Sequence, residues 1–282
     1  MRRLRFLALP ALALIPLIAG CGSDSTAPNE DGPPVTLVAA DRAGDIYTID
    51  EATGAETFII PTTTQDATGA MVDVGVVSSM LYVPSTGLWW LGTGGNAECQ
   101  GCIQTLNPTT GVATTLIQPG LRGIPGLAIH PTTGAIYSWE GDSTDELYEF
   151  DAVTGVPDTL FTGLPMPSSG TGTTFSTGGA LYVAADDELW EMNPATGVPT
   201  LIDQFTFAGF PAFGSASQTI GSMATRPSDG VVFGILKDGG GVNATQVTYL
   251  VTISLTDAVV TNVGPQSELM DGLAYVPTSQ LP

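Results

Sequence analysis

The sequence has few basic and few metal-binding residues for a chain of 282 residues. It contains seven Lys and Arg against 28 Asp and Glu, one His and three Cys. Because phosphate binding needs clustered positive charge, a net charge of −21 excludes nucleic acid as a partner. One His and three Cys also argue against a Ser-His-Asp or Cys-His nucleophile and against a zinc site built from His and Cys.

Three of the seven basic residues stand at the N-terminus, where Arg2, Arg3 and Arg5 precede an apolar run that ends at Cys21. The run has 15 residues and includes two Pro, so a secretory signal fits it better than a transmembrane helix. Residues 17–21, Leu-Ile-Ala-Gly-Cys, resemble the lipobox of bacterial lipoproteins, in which the Cys becomes the lipidated N-terminus. The resemblance implies a signal peptide over residues 1–20 and lipidation at Cys21. Residues 22–34 contain no large apolar residue, which predicts a flexible tether over residues 21–34.

The alternative is ordinary signal-peptide cleavage near Ala19, with Cys21 left as a free thiol. Gly22 stands where the lipoprotein family's inner-membrane retention signal has Asp, which implies the outer membrane. We therefore expect a protein of the bacterial cell envelope that faces the periplasm or the exterior and contacts the membrane through its lipid only. Removal of residues 1–20 leaves four basic residues against 28 acidic ones, a net charge of −24, which disfavours anionic headgroups.

Two short phrases recur along the rest of the chain. The first leads from an apolar segment into Asp or Asn and then x-x-Thr-Gly, with the Gly at Gly54, Gly111, Gly155 and Gly197. Asp and Asn can bond the backbone two residues on, and Gly accepts the positive φ of a hairpin turn, so each copy predicts two antiparallel strands. The second phrase precedes these hairpins, contains Pro-x-x-Gly and predicts two more strands. Four strands in repeats of about 40 to 50 residues are typical of propeller blades.

The two ends of the chain complement each other. Residues 273–277, Leu-Ala-Tyr-Val-Pro, repeat the second phrase without the strands that should follow it, and residues 36–60 supply three strands that lack a first one. We therefore predict an all-β propeller over residues 35–282, closed by pairing of the C-terminal strand with the N-terminal blade. We count five blades, and six remain open because the repeat near residues 172–201 lacks the Pro. The pattern resembles bacterial YVTN- and NHL-like β-propeller repeats, which identify a blade and not a function.

Several residues belong to types that are common in functional sites, but their positions in this sequence indicate structural roles. Cys99 and Cys102 form a C-x-x-C motif in a loop without the context of redox or haem chemistry, so export favours a disulfide. His130 lies in a Pro-x-x-Gly turn, which predicts a structural role. Trp89 and Trp90 are neighbours on one strand and should point to opposite faces, one into the core and the other partly exposed.

Propeller sites usually open at the face where the inner strands start, which we call the start face. The Pro-x-x-Gly turns lie on the opposite face, the turn face. Phe207, Phe210 and Phe213 lie in a long aromatic loop between the fourth and fifth repeats, which we expect on the start face, and they are candidate binding residues together with Arg122.

Two functional hypotheses follow. The first is a monomeric, non-enzymatic, membrane-anchored propeller without a cofactor, which presents one face to a protein, a glycan or a small molecule. The alternative is a calcium-dependent hydrolase similar to lactonase-like propellers, with Asp73, Glu268 and Asp271 as Ca²⁺ ligands at the start face.

Overall fold

The computed structural model describes residues 33–140, 145–167, 170–213, 217–239 and 246–282, without the side chains of residues 170, 171 and 217. In these ranges the chain forms 23 strands and one turn of 3₁₀ helix, Thr278–Gln280. The strands form five blades, as the repeats predict. No helix in the described ranges is long and apolar enough to cross a membrane.

The first three blades each contain four antiparallel strands, in order from the inner strand outwards. Blade 1 contains β23 (Met270–Pro277), β1 (Val35–Asp41), β2 (Ile46–Ile49) and β3 (Glu56–Ile60). Blade 2 contains β6 (Val77–Val83), β7 (Leu88–Thr93), β8 (Ile103–Leu106) and β9 (Ala113–Ile117). Blade 3 contains β10 (Ala128–Ile129), β11 (Ile136–Glu140), β12 (Glu146–Phe150) and β13 (Pro157–Phe161).

The remaining strands form two more blades and a small hairpin. Blade 4 contains β14 (Gly170–Phe175), β15 (Leu181–Ala185), β16 (Glu188–Asn193) and β17 (Val198–Gln204). Blade 5 contains β19 (Ser217–Thr225), β20 (Val232–Gly239), β21 (Val247–Ile253) and β22 (Val259–Gln266), with β18 (Thr206–Ala208) added in parallel outside β22. The hairpin of β4 (Thr63–Gln65) and β5 (Met71–Asp73) connects blades 1 and 2.

The ring closes at blade 1, where both ends of the chain meet. The C-terminal strand β23 pairs antiparallel with β1, from Val35 opposite Pro277 to Asp41 opposite Met270. Each inner strand also contacts the inner strand of the next blade, including β23 with both β6 and β19. The closure predicted from the two chain ends is therefore confirmed.

Local chemistry explains the repeated hairpin phrase. The Asp50 carboxylate accepts hydrogen bonds from the backbone N–H groups of Ala52 and Thr53, both at 2.9 Å, and Gly54 has a φ of +74°. The hairpin glycines also pack closely against the preceding blade: a Cβ added at Gly111 would lie 2.2 Å from the carbonyl oxygen of Pro61. Gly is thus required for two reasons: the turn needs a positive φ, and the contact between blades leaves no space for a Cβ.

The core lies between the blades. Trp89 packs in a cluster shared by blades 1 and 2, and Trp90 packs in a cluster shared by blades 2 and 3. Their side chains are 1% and 0% exposed, so the expectation that one of them would be partly exposed is wrong. Both faces of a blade are covered by its neighbours, and alternation along the strand therefore buries both residues.

Candidate functional site

A cavity of about 480 Å³ opens at the turn face, where the inner strands of all five blades end. Most of its wall consists of apolar side chains at matching positions of the five strands: Met80, Leu81, Leu127, Ala128, Phe175, Met223, Ala224, Leu273 and Ala274. Its rim carries one Pro from several blades and from the start of the chain: Pro33, Pro84, Pro131, Pro227 and Pro277. The volume lies within the range of cavities that hold small molecules.

The second repeated phrase explains why this space is open. Two residues before its Pro, the phrase has an aromatic or β-branched residue. Three residues before the Pro, it has Ala in three of the five blades: Ala128, Ala224 and Ala274. The larger side chains Tyr82, Phe175 and Tyr275 turn into the gaps between blades, where Phe175 meets Tyr137 and Tyr275 meets Phe233. The small residues therefore leave volume at the centre that the aromatic rings do not fill.

Hydroxyl groups supply the few polar contacts of the cavity. The hydroxyls of Thr174 and Thr225 lie 2.9 Å apart, and the Tyr82 hydroxyl accepts a hydrogen bond from Gln280 at 3.1 Å. The Tyr275 hydroxyl is buried and has no hydrogen-bond partner among the described residues. None of the described residues that line the cavity is Asp, Glu, Lys, Arg or His. The cavity therefore offers apolar surface and hydroxyls, but no charged side chain for acid–base chemistry.

An ion-pair cluster lies beside the cavity wall at Tyr275. Arg226 donates to both carboxylate oxygens of Asp229, at 2.8 and 2.6 Å, and also to Glu51, and its guanidinium stands over the Phe233 ring. The hydrogen bonds to Asp229 raise the pKa of Arg226 and lower the pKa of Asp229. The guanidinium of Arg226 is therefore engaged by neighbouring side chains of blades 1 and 5.

Burial raises the pKa of Tyr275, and the nearby Glu51 carboxylate raises it further. Tyr275 is therefore a neutral phenol at physiological pH, and its hydroxyl is buried beside Glu51.

The three candidate Phe residues come together, at a place other than the cavity. Phe207 lies on β18 at the outer edge of blade 5, and its ring packs 5.2 Å from Phe213 and 5.9 Å from Phe210. Phe210 also packs edge-on against Tyr249, with the ring centroids 5.5 Å apart. All three rings are half-buried against the core between blades 4 and 5. The aromatic loop thus covers the side of blade 5 rather than the centre of the ring.

Arg122 is separated from these rings. It is exposed on a loop of blade 2, and its carbonyl oxygen accepts a hydrogen bond from Gln100, inside the loop closed by Cys99 and Cys102. The two cysteines lie at disulfide distance, with their Cα atoms 5.7 Å apart, as the C-x-x-C motif predicts. Lipidation at Cys21 lies outside the described residues.

The three acidic candidates do not form one coordination site. Asp271 is 4% exposed and paired with Lys237 and with Arg42, whose Nε lies 3.5 Å from its carboxylate. Asp73 and Glu268 are exposed. Burial raises the pKa of Asp45, and the carboxylates of Asp41, Asp73 and Glu268 raise it further, so negative charge does gather at the start face. Across the described ranges, however, no group of three Asp, Glu, His or Cys side chains is placed to hold a metal ion.

His130 closes its own turn. Its Nδ1 accepts hydrogen bonds from the backbone N–H groups of Thr132 and Thr133, both at 3.2 Å, as Asp50 does in the hairpin turn of blade 1. Its ring packs edge-on against Phe175, 5.0 Å away. These contacts give the histidine the structural role that its position in the sequence predicted.

Sequence reasoning missed the cavity because it placed the site on the start face. A signal was present in the repeats, since Ala recurs at the same position before the turn in three blades. The linear sequence does not show that these three Ala residues lie around one axis of the folded ring.

The fold and the cavity define the chain as a five-bladed β-propeller with an apolar central cavity at its turn face. No family model matches the chain, and no curated protein matches its sequence. A chain of the nidogen–laminin complex has a similar structure, with a TM-score of 0.55 at 8% identity over 86% of this chain and 98% of that one.

A second solved structure, a structural-genomics protein named as a gluconolactonase candidate, has a TM-score of 0.41 at 14% identity. That match covers 70% of this chain and 69% of the other one. At such identities the similarity to the nidogen–laminin chain shows the propeller fold alone.

Proposed function

We propose that the protein is a lipid-anchored, non-enzymatic binding protein of the bacterial cell envelope, and that its central cavity holds a small, largely apolar molecule. The cavity carries this proposal, because its wall combines apolar side chains with hydroxyls and no charged group. A ligand with a large apolar body and one or two hydrogen-bonding groups fits this wall. The hydroxyls of Thr174 and Thr225, two residues that line the cavity, are the groups that a polar atom of the ligand would meet.

The hydrolase alternative has less support from the geometry. Asp271 is neutralised by two cations, and its proposed partners Asp73 and Glu268 are solvated. We therefore propose binding as the activity of the chain.

The first test uses an uncharged fluorescent probe, N-phenyl-1-naphthylamine, whose emission rises in apolar surroundings. We expect the protein to bind the probe with saturation. Thr177 is exposed and lines the cavity mouth, so Thr177→Trp should block the mouth and reduce probe affinity at least tenfold without lowering the melting temperature.

Thr132→Trp is the matched control for this variant. Thr132 is an exposed Thr in another turn of the same face, but it does not line the cavity, so its variant should bind the probe like the parent. If the parent does not bind, or if Thr177→Trp and Thr132→Trp bind equally well, the cavity is not the binding site.

The second test concerns the anchor. Cys21→Ala removes the only proposed lipidation site, and we expect this variant to move from the membrane fraction to the soluble fraction of the producing bacterium. Cys99→Ala with Cys102→Ala removes the disulfide instead and should leave the protein in the membrane fraction. A Cys21→Ala protein that stays in the membrane would contradict lipid anchoring.

A further inference from the structure

The exposed apolar side chains of the propeller are concentrated on the turn face. Eight large apolar residues in the described ranges are strongly exposed, and five of them lie in or beside the turns of this face. They are Leu88, Val112, Val153, Val156 and Val198, with exposed fractions from 37% to 68%. None of the five lines the cavity, whose mouth on the same face is itself apolar.

The inner turns around the cavity mouth carry little charge. The four inner turns around the mouth, residues 83–88, 130–135, 176–180 and 226–231, carry a single side-chain ion pair, Arg226 with Asp229. The start face has acidic residues in every blade, among them Asp41, Glu98, Glu146, Asp186 and Asp238. In a chain with a net charge of −21, a rim with almost no net charge is the part of the surface best suited to an apolar environment.

The chain that precedes the propeller joins it at the same face. Pro33 and Val35 line the cavity mouth, and the Pro34 carbonyl accepts a hydrogen bond from the Thr278 N–H at 2.9 Å. Residues 22–32 separate Cys21 from this point. Eleven residues reach at most about 40 Å when fully extended, so an anchor at Cys21 would keep Pro33 and the turn face within that distance of the membrane.

We propose that the turn face docks on the bilayer surface, so that the cavity mouth opens towards the lipid and the cavity ligand is an apolar molecule drawn from the membrane. This inference rests on the proposed lipid anchor. Electrostatic attraction to anionic lipid does not drive the docking, because the outer turns of this face carry Asp50, Glu51, Asp151 and Asp257 and the one nearby Arg is paired. The matching surface is therefore one of neutral headgroups, into which the exposed Val and Leu side chains insert.

Site-specific fluorescence on the full-length, lipidated protein in phosphatidylcholine vesicles tests the docking. Bimane is attached to Val153→Cys or Val198→Cys on the turn face, or to Ala67→Cys, an exposed residue at the tip of the β4–β5 hairpin on the start face. We expect the labels at positions 153 and 198 to shift to shorter wavelength and to be quenched by lipids with a spin label in the acyl chain. The label at position 67 should show neither effect.

Two further arms separate the possible causes of failure. A protein that does not float with the vesicles lacks the lipid anchor, and the proposed function fails with it. A protein that floats but shows no quenching at positions 153 and 198, or equal quenching at position 67, overturns the docking and leaves the anchor intact. Replacing half of the phosphatidylcholine by phosphatidylglycerol should reduce the quenching, and stronger quenching there would contradict docking on neutral headgroups.

Discussion

Deletion of residues 270–282 should abolish cooperative folding of the propeller. The deletion removes β23, whose side chains Met270, Leu273, Ala274 and Val276 are 4% exposed or less. Burial of the three larger side chains alone contributes about 5 to 9 kcal/mol, which is comparable to the whole stability of a typical domain, about 5 to 15 kcal/mol. The deletion also leaves the hydrogen-bonding edge of β1 unpaired, and an unpaired edge promotes aggregation. Circular dichroism and size-exclusion chromatography will show the loss of the cooperative transition and the formation of aggregates.

A shorter truncation provides the control. Removal of Leu281 and Pro282 keeps β23 and also keeps Gln280, which accepts a hydrogen bond from the Trp89 indole at 3.1 Å and so links blade 1 to blade 2. Leu281 is only partly buried against the core, so this variant should lose no more than about 2 kcal/mol. A protein without residues 270–282 that melts like the parent would show that the ring does not depend on the C-terminal strand.

Gly111→Ala should strongly destabilise the propeller. Gly111 has a φ of +71°, and an Ala Cβ there would lie 2.2 Å from the Pro61 carbonyl oxygen and 3.1 Å from the Ile60 side chain. The backbone conformation alone costs a residue with a Cβ roughly 1 to 2 kcal/mol, and overpacking adds about 1 to 3 kcal/mol. We expect a loss of about 2 to 5 kcal/mol, the sum of the two contributions, measured by chemical denaturation.

Gly134→Ala is the matched control, because it shares the conformation but not the contact. Gly134 has a φ of +73°, and nothing lies within 4 Å of an added Cβ. This variant should lose only the conformational part, roughly 1 to 2 kcal/mol. Equal losses in the two variants would mean that the contact between blades 1 and 2 does not constrain the hairpin.

The repeats of the sequence determined the blades and the closure of the ring. The Asp or Asn and the Gly of each hairpin phrase act within five residues of chain, as the bonds from Ala52 and Thr53 to Asp50 show, so their consequences can be predicted locally. The closure by β23 was predictable for a related reason, since a first-strand phrase at one end and three strands at the other complete a single blade. The C-x-x-C motif likewise restricted Cys99 and Cys102 to a short loop.

The placement of candidate side chains was not predictable in the same way. The aromatic loop was expected on the start face, yet Phe207 forms an additional edge strand on blade 5 through pairing with Val260, which lies far along the chain. One of Trp89 and Trp90 was expected to be partly exposed, although the neighbouring blades bury both completely. Asp271 was a candidate Ca²⁺ ligand until the structure brought Lys237 and Arg42 to its carboxylate.

The sequence by itself therefore determined the four-stranded blades and the way the ring closes, because short-range turn chemistry repeats with each blade. Only the tertiary structure decided where the cavity lies and which groups are free to act. Ala128, Ala224 and Ala274 lie about 50 residues apart or more along the chain, and they border one cavity only because the ring brings the ends of five inner strands to a common axis. The distribution of charge between the two faces also depends on strand direction, since successive turns alternate between the faces and only the folded ring collects them.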